Sequence, residues 1–442
     1  MKALLICPAD RAGVVRLAEP TPLAIAPLLG KSALEYWLET LAAQGATHVL
    51  VLASDRPGMI RTFVGDGKRW GLRVELLSQN RELTAAEARA KYRPNDATGW
   101  LPENDAVVLD HLPGQPDLPL FDTYAGWFAA VQAWMPRALT PPRVGVREIR
   151  PGVWVGLRTQ LAAGVQLHAP CWLGENVQVS ADAQIGPNAV VEDRVVIESG
   201  ARIRDSIVAP ETFVGRFVSV TSSLAQGSLL IDWRSDSCLR VPDAFLLATL
   251  DPARTAARQG GAIGRLLALV AMLATSPIAT AVMLIALLRG ESPLKLRIAV
   301  RPKSNFREHA QDTFAYYELT GAGNWLRRWP QFWSVVRGDL AWVGNRPLRP
   351  TQAFTLANDF ERLWLAVPPG LISLADACGC REGLSPEACA HASFYAANPS
   401  RRLDAKIVAR ALVRAALAWP LYWHQRREQA AALPQLVPKQ QG

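Results

Sequence analysis

A six-residue period in the middle of the chain restricts its fold more than any other feature of the sequence. Nine aliphatic residues stand six positions apart: Val155, Leu161, Leu167, Leu173, Val179, Ile185, Val191, Ile197 and Ile203. Glycine follows this row directly at Gly156, Gly174 and Gly186, where a tight corner leaves little room for a side chain. The register slips by one after Ile203 and resumes at Val208. A fixed period of this kind decides the architecture, and nine hexads predict three coils of eighteen residues.

This pattern resembles the hexapeptide-repeat left-handed parallel β-helix, which we assign to residues 141–235. Many members of that class are acyltransferases that use a histidine base, and His168 is the only histidine in the repeats. In other proteins the same prism follows a nucleotidyltransferase domain as a spacer or an oligomerisation surface. We favour the architectural interpretation and expect a homo-oligomer through residues 153–221. Acyl transfer at His168 is the alternative.

The longest apolar stretch, Leu266–Leu288, has 23 residues and no charge. At about 1.5 Å per helical residue it reaches about 35 Å, enough for the ~30 Å hydrocarbon core of a bilayer. Ser276 and Pro277 stand near its middle, and proline disfavours a straight helix. Basic residues, which favour the cytoplasmic side, flank both ends. We predict a re-entrant helix that bends at Ser276–Pro277 and leaves by the face it entered; a kinked transmembrane helix is the alternative.

The chain carries a net charge of +9, which favours anionic partners. It contains no recognisable nucleic-acid-binding module, and its basic residues gather around the apolar stretch, so membrane lipid is the predicted partner. The six cysteines show no secreted disulfide framework, which fits a reducing cytosol. A cluster near the C-terminus has two interpretations, a structural zinc site or buried thiols: Cys378, Cys380, Cys389 and His391.

Strand and helix patterns alternate through residues 1–140 and predict an α/β domain with parallel strands. Strands are expected near Ala3–Ile6, His48–Leu52, Arg73–Leu77 and Ala106–Leu109, with a helix near Ser32–Ala43. The stretch Pro27–Leu52 resembles sugar-nucleotide nucleotidyltransferases through Gly30-Lys31, Leu34-Glu35-Tyr36 and Gly45-Ala46. The resemblance implies a truncated, Rossmann-like nucleotidyltransferase domain.

That resemblance also implies where a nucleotide would bind. The family cradles a triphosphate with the amides of a glycine-rich loop after the first strand, and here the loop Cys7–Leu17 retains one glycine. The position of the family's lysine falls on Leu23, and Asp110 keeps the place of a metal-binding aspartate. We therefore expect a degenerate domain that has lost triphosphate binding.

The most specific motifs lie in Arg327–Pro350 and just after it. They are Pro330-Gln331, Arg337-Gly338-Asp339, Val343-Gly344, Arg346-Pro347-Leu348 and Pro369-Gly370. They resemble the bacterial sugar transferase family, monotopic membrane enzymes that move a sugar-1-phosphate from a nucleotide sugar to polyprenyl phosphate. The resemblance implies an α-rich monotopic membrane domain at residues 261–425, with its re-entrant helix at residues 266–288.

In that family an Asp-Glu pair just before the Pro-Gln motif supplies the nucleophile, and magnesium offsets the phosphate charge. Arg327 and Arg328 occupy the pair here, and a guanidinium can neither attack phosphorus nor coordinate a cation. Guanidinium groups do bind phosphate, so these two residues and the retained Arg346 are the predicted phosphate- or substrate-binding residues. No catalytic residue is assigned. Asp339 and Glu318 are the candidate carboxylates for replacing the missing nucleophile. Mg²⁺ is expected only if one of them does so and the protein is active.

Together these observations predict a three-part protein at the inner (cytoplasmic) membrane, with its soluble domains facing the cytoplasm. A linker at residues 236–260 and a polar tail at residues 426–442 complete the organisation. We expect a non-catalytic scaffold or regulator of exopolysaccharide or surface-glycan assembly. Its expected partners are polyprenyl phosphate, a nucleotide sugar and other glycan-assembly proteins. An active sugar-1-phosphate transferase and a β-helix acyltransferase are the alternatives.

Overall fold

The chain divides into two compact units, Met1–Thr249 and Leu250–Gly442. The computed structural model describes residues 1–93, 99–139, 145–250, 261–301, 313–320, 324–356, 359–380 and 383–414. The predicted polar tail at residues 426–442 lies outside the described residues.

The first unit begins with a four-stranded parallel sheet. Its strands are β1 Lys2–Ile6, β2 His48–Ala53, β3 Arg73–Ser78 and β4 Ala106–Val108, in the order β3-β2-β1-β4. The helices of this part are α1 Ala33–Ala43, α2 Pro57–Val64, α3 Ala85–Tyr92 and α4 Tyr124–Trp134. A helical turn at Val15–Ala18 and a hairpin of Pro27–Leu28 with Lys31–Ser32 precede α1. The predicted parallel α/β domain is thus confirmed.

Helix α1 begins and ends where its sequence specifies. The Ser32 hydroxyl accepts the N–H of Glu35 at 3.2 Å, and the Glu35 carboxylate accepts the N–H of Ser32 at 2.9 Å, which forms a capping box. Leu34, Leu38 and Leu41 recur at helical spacing and are fully buried. The helix stops at Ala43, two residues before a glycine with a φ of +91°.

Residues 153–226 form a three-sided β-helix, whose short strands stack in parallel on three sheets. Its strands are Val153–Gly156, Gln160–Leu161, Gln166–Leu167, Cys171–Leu173, Gln178–Val179, Gln184–Ile185, Ala189–Val191, Val196–Ile197, Arg202–Arg204, Ser206–Val208, Thr212–Val214, Ser219–Thr221 and Ser223–Gln226. Cys171 pairs with Ala189, and Ala189 with Ser206, so the offset falls from 18 to 17 residues at the slip in the sequence. The predicted inward row is buried from Leu173 onward, which confirms the β-helix.

One outer face of this prism is buried against the α/β part of the same unit. Its outward residues form one core with Trp127, Val131 and Trp134 of α4; they are Trp154, Trp172, Val190, Ile207, Leu224 and Ile231. Glu192, only 1% exposed, accepts hydrogen bonds from the backbone N–H groups of Leu29 at 2.5 Å and Gly30 at 2.6 Å. The α/β part and the prism therefore fold as one unit.

The predicted linker at residues 236–260 contains ordered strands in its first part. Leu229–Asp232 and Ser237–Arg240 extend the largest sheet of the prism in antiparallel fashion, and Val146–Arg150 does so at its other edge. Leu247–Thr249 pairs antiparallel with Thr212–Val214, and its Leu247 and Ala248 are buried. The linker prediction is wrong here because these strands lack the hexad period and cap the repeat. Residues 251–260 lie outside the described residues.

The second unit contains one long helix, a β-hairpin and many short elements. The helix is α5 Ala262–Leu288, and the hairpin pairs β5 Leu294–Val300 with β6 Thr313–Leu319. The short elements are α6 Asn324–Arg327, α7 Gln331–Arg337, β7 Ala341–Val343, α8 Pro350–Phe354, α9 Asp359–Arg362, β8 Gly370–Ile372, α10 Leu374–Cys378 and α11 Pro386–Ala397. Residues 401–414 are also helical. This region is α-rich, as predicted.

Helix α5 is the one described helix that is long and apolar enough to cross a membrane. Its backbone stays helical through Ser276 and Pro277, so a bend at this point would not interrupt the helix. Leu266, Val270 and Leu273 lie along one side and are 56–61% exposed. An apolar helix with an exposed stripe of this kind lacks a protein partner for that stripe among the described residues.

Candidate functional site

The second position of the expected Asp-Glu pair is occupied by a guanidinium that is bound to a carboxylate. Arg328, just after α6, donates from Nη1 and Nη2 to Oδ2 and Oδ1 of Asp376 at 2.8 and 2.9 Å. The same Nη1 donates to the carbonyl oxygen of Leu371 at 2.9 Å. Two parallel bonds of this kind are the preferred arginine–carboxylate geometry. The fork connects the end of α6 to the start of α10.

A second arginine holds the same carboxylate. Arg346 donates from Nε to Asp376 Oδ1 at 2.9 Å and from Nη2 to the carbonyl oxygen of Cys380 at 2.8 Å. Ser373, the N-cap of α10, donates its hydroxyl and its N–H to Asp376 Oδ2 at 2.7 and 3.0 Å. Burial alone would raise the pKa of Asp376, but hydrogen bonds and charge from Arg328, with the charge of Arg346, outweigh it and hold that pKa well below the usual range.

The Arg328–Asp376–Arg346 cluster is built for structure rather than for attack on phosphorus. Both carboxylate oxygens of Asp376 already accept several hydrogen bonds, and a carboxylate stabilised in this way is a weak nucleophile. The side chains of Arg328 and Arg346 are 23% and 11% exposed, so a phosphate would have to compete with a carboxylate that is already in place. Arg327, half-buried at the end of α6, precedes the cluster.

The two carboxylates considered as substitutes are also ion-paired. Asp339 lies 3.2 Å from Arg301 Nη2 and 2.9 Å from Arg337 Nη2. Glu318, on β6, lies 3.2 Å from Nε of Arg297 on the neighbouring strand. The structure brings neither of them into the Arg328–Asp376–Arg346 cluster through a described hydrogen bond.

The structure favours the thiol interpretation of the Cys/His cluster over the zinc site. Among the described residues, which include all four proposed ligands, no group of three or more His, Cys, Asp or Glu side chains is placed to hold a metal ion. Cys389 and His391 lie two positions apart on α11, about 200° around the helix axis, so they point to opposite sides. Cys380 and Cys389 pack against the apolar cluster around Trp364, and burial raises the pKa of Cys389 to about 12.

In the first unit, the loop that would cradle a triphosphate is engaged by the chain itself. Glu82, between β3 and α3, accepts a hydrogen bond from the N–H of Ala9 at 2.8 Å. It also accepts hydrogen bonds from both terminal nitrogens of Arg11 at 2.7 Å. Burial would raise the pKa of Glu82, but these hydrogen bonds lower it overall. The glycine left in this loop, Gly13, serves packing, because a Cβ there would lie 1.7 Å from the carbonyl oxygen of Asp122.

The remaining predicted positions are dispersed. Asp110 is bound to Nδ1 of His111 at 2.7 Å, and this hydrogen bond is the main reason that its pKa is lowered. Leu23, at the position of the family's lysine, is buried in the core. His168 is exposed on the prism. The Ser276 hydroxyl donates to the carbonyl oxygen of Leu273 at 2.8 Å, within α5.

Two important carboxylates were missed by sequence reasoning, Asp376 and Glu82. Asp376 did carry a signal, because Ser373 and Asp376 have capping-box spacing, but that spacing predicts a helix start and not an ion pair with Arg328 and Arg346. Glu82 carried none, since its partners stand 71 and 73 positions away in the sequence.

Comparison with known proteins assigns each part of the chain a similarity. Residues 261–417 match the family model described as bacterial sugar transferase, and residues 170–205 match the one described as bacterial transferase hexapeptide (six repeats). A glucose-1-phosphate thymidylyltransferase from Streptomyces antibioticus is 31% identical over 88 residues, which are 20% of this chain and 25% of that protein. The similarity thus spans about a quarter of that relative. The chain thus joins an α/β domain with a partial nucleotidyltransferase similarity and a hexapeptide-repeat β-helix to a C-terminal region that matches the bacterial sugar transferase family model.

Proposed function

We propose that this protein is a membrane-associated, non-catalytic member of a polyprenol-linked pathway that assembles an exopolysaccharide or surface glycan. It acts there as a scaffold or regulator for other assembly proteins. The observation that carries the proposal is the Arg328–Asp376 ion pair at the place where the family resemblance puts the attacking Asp-Glu pair.

The chemistry of this place supports loss of transfer. A sugar-1-phosphate transferase of this class needs a carboxylate that is available to attack phosphorus and a second group that tolerates a magnesium ion. Here the place carries positive charge from two adjacent arginines, and the nearest carboxylate is already bound to two guanidinium groups. Asp339 and Glu318 are likewise bound to arginines.

The same positive site supports binding of an anionic ligand without turnover. Arg328 and Arg346 meet on the same carboxylate, Arg327 directly precedes Arg328, and guanidinium groups favour phosphate. A lipid phosphate or a nucleotide sugar that displaces Asp376 from one arginine would be retained but not converted.

Helix α5 supports attachment to one side of the inner membrane. Trp342 Nε1 donates to the carbonyl oxygen of Gly264 at 2.7 Å, and Trp329 Nε1 donates to the Thr275 hydroxyl at 3.0 Å. Because these two tryptophans stand on either side of α7 in the sequence, the first half of α5 lies along α7. The 13 residues from Ser276 to Leu288 extend about 20 Å. That length is short of the ~30 Å needed to cross the hydrocarbon core. We therefore keep the proposal that both flanks face the cytoplasm.

The catalytic part of the proposal is tested by measuring product release. Purified full-length protein with Mg²⁺, polyprenyl phosphate and a panel of UDP-sugars is expected to release no UMP. An Arg327→Asp, Arg328→Glu variant is expected to remain inactive, because Asp376 would then face a new carboxylate in place of one of its two arginine partners. UMP release that disappears on Glu318→Gln or Asp339→Asn would instead establish an active transferase with a relocated carboxylate.

The topological part is tested by thiol labelling of intact spheroplasts from outside. Single cysteines at Ser235 and Ser400, exposed residues on either side of α5, are both expected to escape an impermeant reagent. Labelling of one and not the other would establish a true transmembrane helix. A Pro277→Leu variant, which restores a backbone donor, is expected to favour that second outcome.

A further inference from the structure

One face of the β5–β6 hairpin is apolar and exposed along its middle, while Val300 and Leu319 at its ends are 2% exposed. Leu296 pairs with Tyr317 and Ile298 with Ala315 across the two strands, and directly paired residues point to the same side. Leu294, Leu296, Ile298 and Tyr317 are 41–54% exposed. Adjacent large apolar side chains that are exposed together mark a contact surface rather than an ordinary patch of protein surface.

The opposite face of the hairpin shows that this exposure is one-sided. Phe314 and Tyr316 point the other way and are 5% and 6% exposed, and Arg297 pairs there with Glu318. Lys295, also on that side, is exposed at the start of the strand. The hairpin thus packs with one face on its own domain and holds the apolar face outward.

This apolar face follows closely on the exposed end of helix α5. Leu284, Leu287 and Leu288 are 58–80% exposed, and five residues separate Leu288 from Leu294. Arg289, in the segment between the two, is an exposed cation, and Tyr317 lies on the apolar face itself. Apolar side chains with a neighbouring cation and an aromatic residue suit the boundary between acyl chains and anionic headgroups.

We propose that the outer face of the β5–β6 hairpin is a second lipid-contacting surface, which rests on the bilayer beside α5. The inference rests on the membrane attachment in the proposed function and adds to it a named surface outside the helix. The occupant is the lipid boundary, since the apolar face follows the exposed end of α5 after five residues and the exposed cation Arg289 stands between them. Contact with a second copy of the chain is the outcome that would oppose it.

The experiment compares neighbouring residues on opposite faces of one strand. The native cysteines are replaced, and single cysteines at Leu296, Ile298 and Lys295 are labelled with an environment-sensitive fluorophore. Leu273, on the exposed stripe of α5, serves as the reference for insertion. Full-length protein is reconstituted in vesicles of phosphatidylcholine and phosphatidylglycerol, with and without lipids that carry a nitroxide quencher near the headgroup.

We expect the labels at Leu296 and Ile298 to shift to the blue and to lose at least half of their emission to the nitroxide lipid. The label at Lys295 is expected to stay accessible to an aqueous quencher. Quenching at Leu273 without quenching at Leu296 and Ile298 overturns this inference and leaves the membrane attachment intact. Absence of quenching at all of them overturns the attachment itself. Efficient disulfide cross-linking between two copies through Leu296→Cys, without lipid quenching, assigns the face to a dimer and also overturns the inference.

Discussion

Replacing Asp376 by asparagine tests whether the Arg328–Asp376–Arg346 cluster holds the second unit together. Asparagine keeps one acceptor oxygen but turns an NH₂ group toward guanidinium donors, which leaves buried positive charge uncompensated. Removing one partner of a buried ion pair costs about 3–5 kcal/mol. For a unit of this size, that loss lowers the melting temperature by roughly 6–20 °C.

The measurement needs a reporter inside the second unit. Cys389 supplies one, because its thiol is partly buried in an apolar cluster and this burial raises its pKa in the folded state. We would heat the full-length protein in detergent and quantify alkylation of Cys389 by mass spectrometry as a function of temperature. Because the readout is specific to one peptide, unfolding of the first unit does not contribute to it.

The matched control is Asp339→Asn in the same unit. Its partners Arg301 and Arg337 are 49% and 45% exposed, and pairs with exposed partners contribute about 1 kcal/mol or less. A variant at Asp376 that melts no earlier than the variant at Asp339 would refute the reasoning. Adding Arg328→Gln to Asp376→Asn is expected to recover part of the loss, since the two sites share one interaction.

Four further predictions follow from the same contacts. The folded-state pKa of Asp376 is lowered, so the stability that its ion pairs contribute is complete at neutral pH and is lost as the pH falls below about 4. Measuring the protection of Cys389 as a function of decreasing pH should show this loss of stability. An Asp376→Asn protein that loses stability equally steeply would contradict the prediction. Glu82→Gln should raise hydrogen exchange at the Ala9 amide about tenfold through a weakened hydrogen bond, with the β2 amides unchanged as a control. Glu192→Ala leaves two buried amide donors without their acceptor and should cost residues 1–250 about 2–6 kcal/mol in denaturant unfolding, against less than about 1 kcal/mol for the exposed pair partner Glu211→Ala. The fragment 1–250 should sediment as a dimer or trimer at micromolar concentration, and a strictly monomeric fragment would remove the predicted oligomer.

Features set by local spacing were predictable from the sequence. The hexad row placed the inward residues of the prism, and the slip after Ile203 appears as a coil with 17 residues in place of 18. Ser32 and Glu35 fixed the start of α1 through neighbouring groups alone. In each case the determining interactions lie within a few residues or repeat at a constant interval, so the pattern is visible without the fold.

Features set by distant partners were not predictable. Asp376 meets Arg328 across 48 positions and Arg346 across 30, and no spacing rule connects them. Cys389 and His391 stand two positions apart in the sequence, yet they lie on opposite sides of one helix. The packing of the prism on the α/β part is visible in the sequence, because Trp154 and Trp172 stand one coil apart on the outward row. Large apolar side chains at such outward positions indicate a covered face.

The packing of the prism on the α/β part gives that part a structural role that needs no nucleotide. Leu29, Leu34 and Tyr36 come from the stretch that resembles nucleotidyltransferases, and they share a core with Trp154 and Trp172 of the prism. A substitution there exposes the flank of the prism whether or not any nucleotide is bound. The loop Cys7–Leu17 contributes Cys7, Val14 and Leu17 to the same core. The α/β part therefore serves the prism as a buttress, and its sequence is constrained by that contact independently of any chemistry.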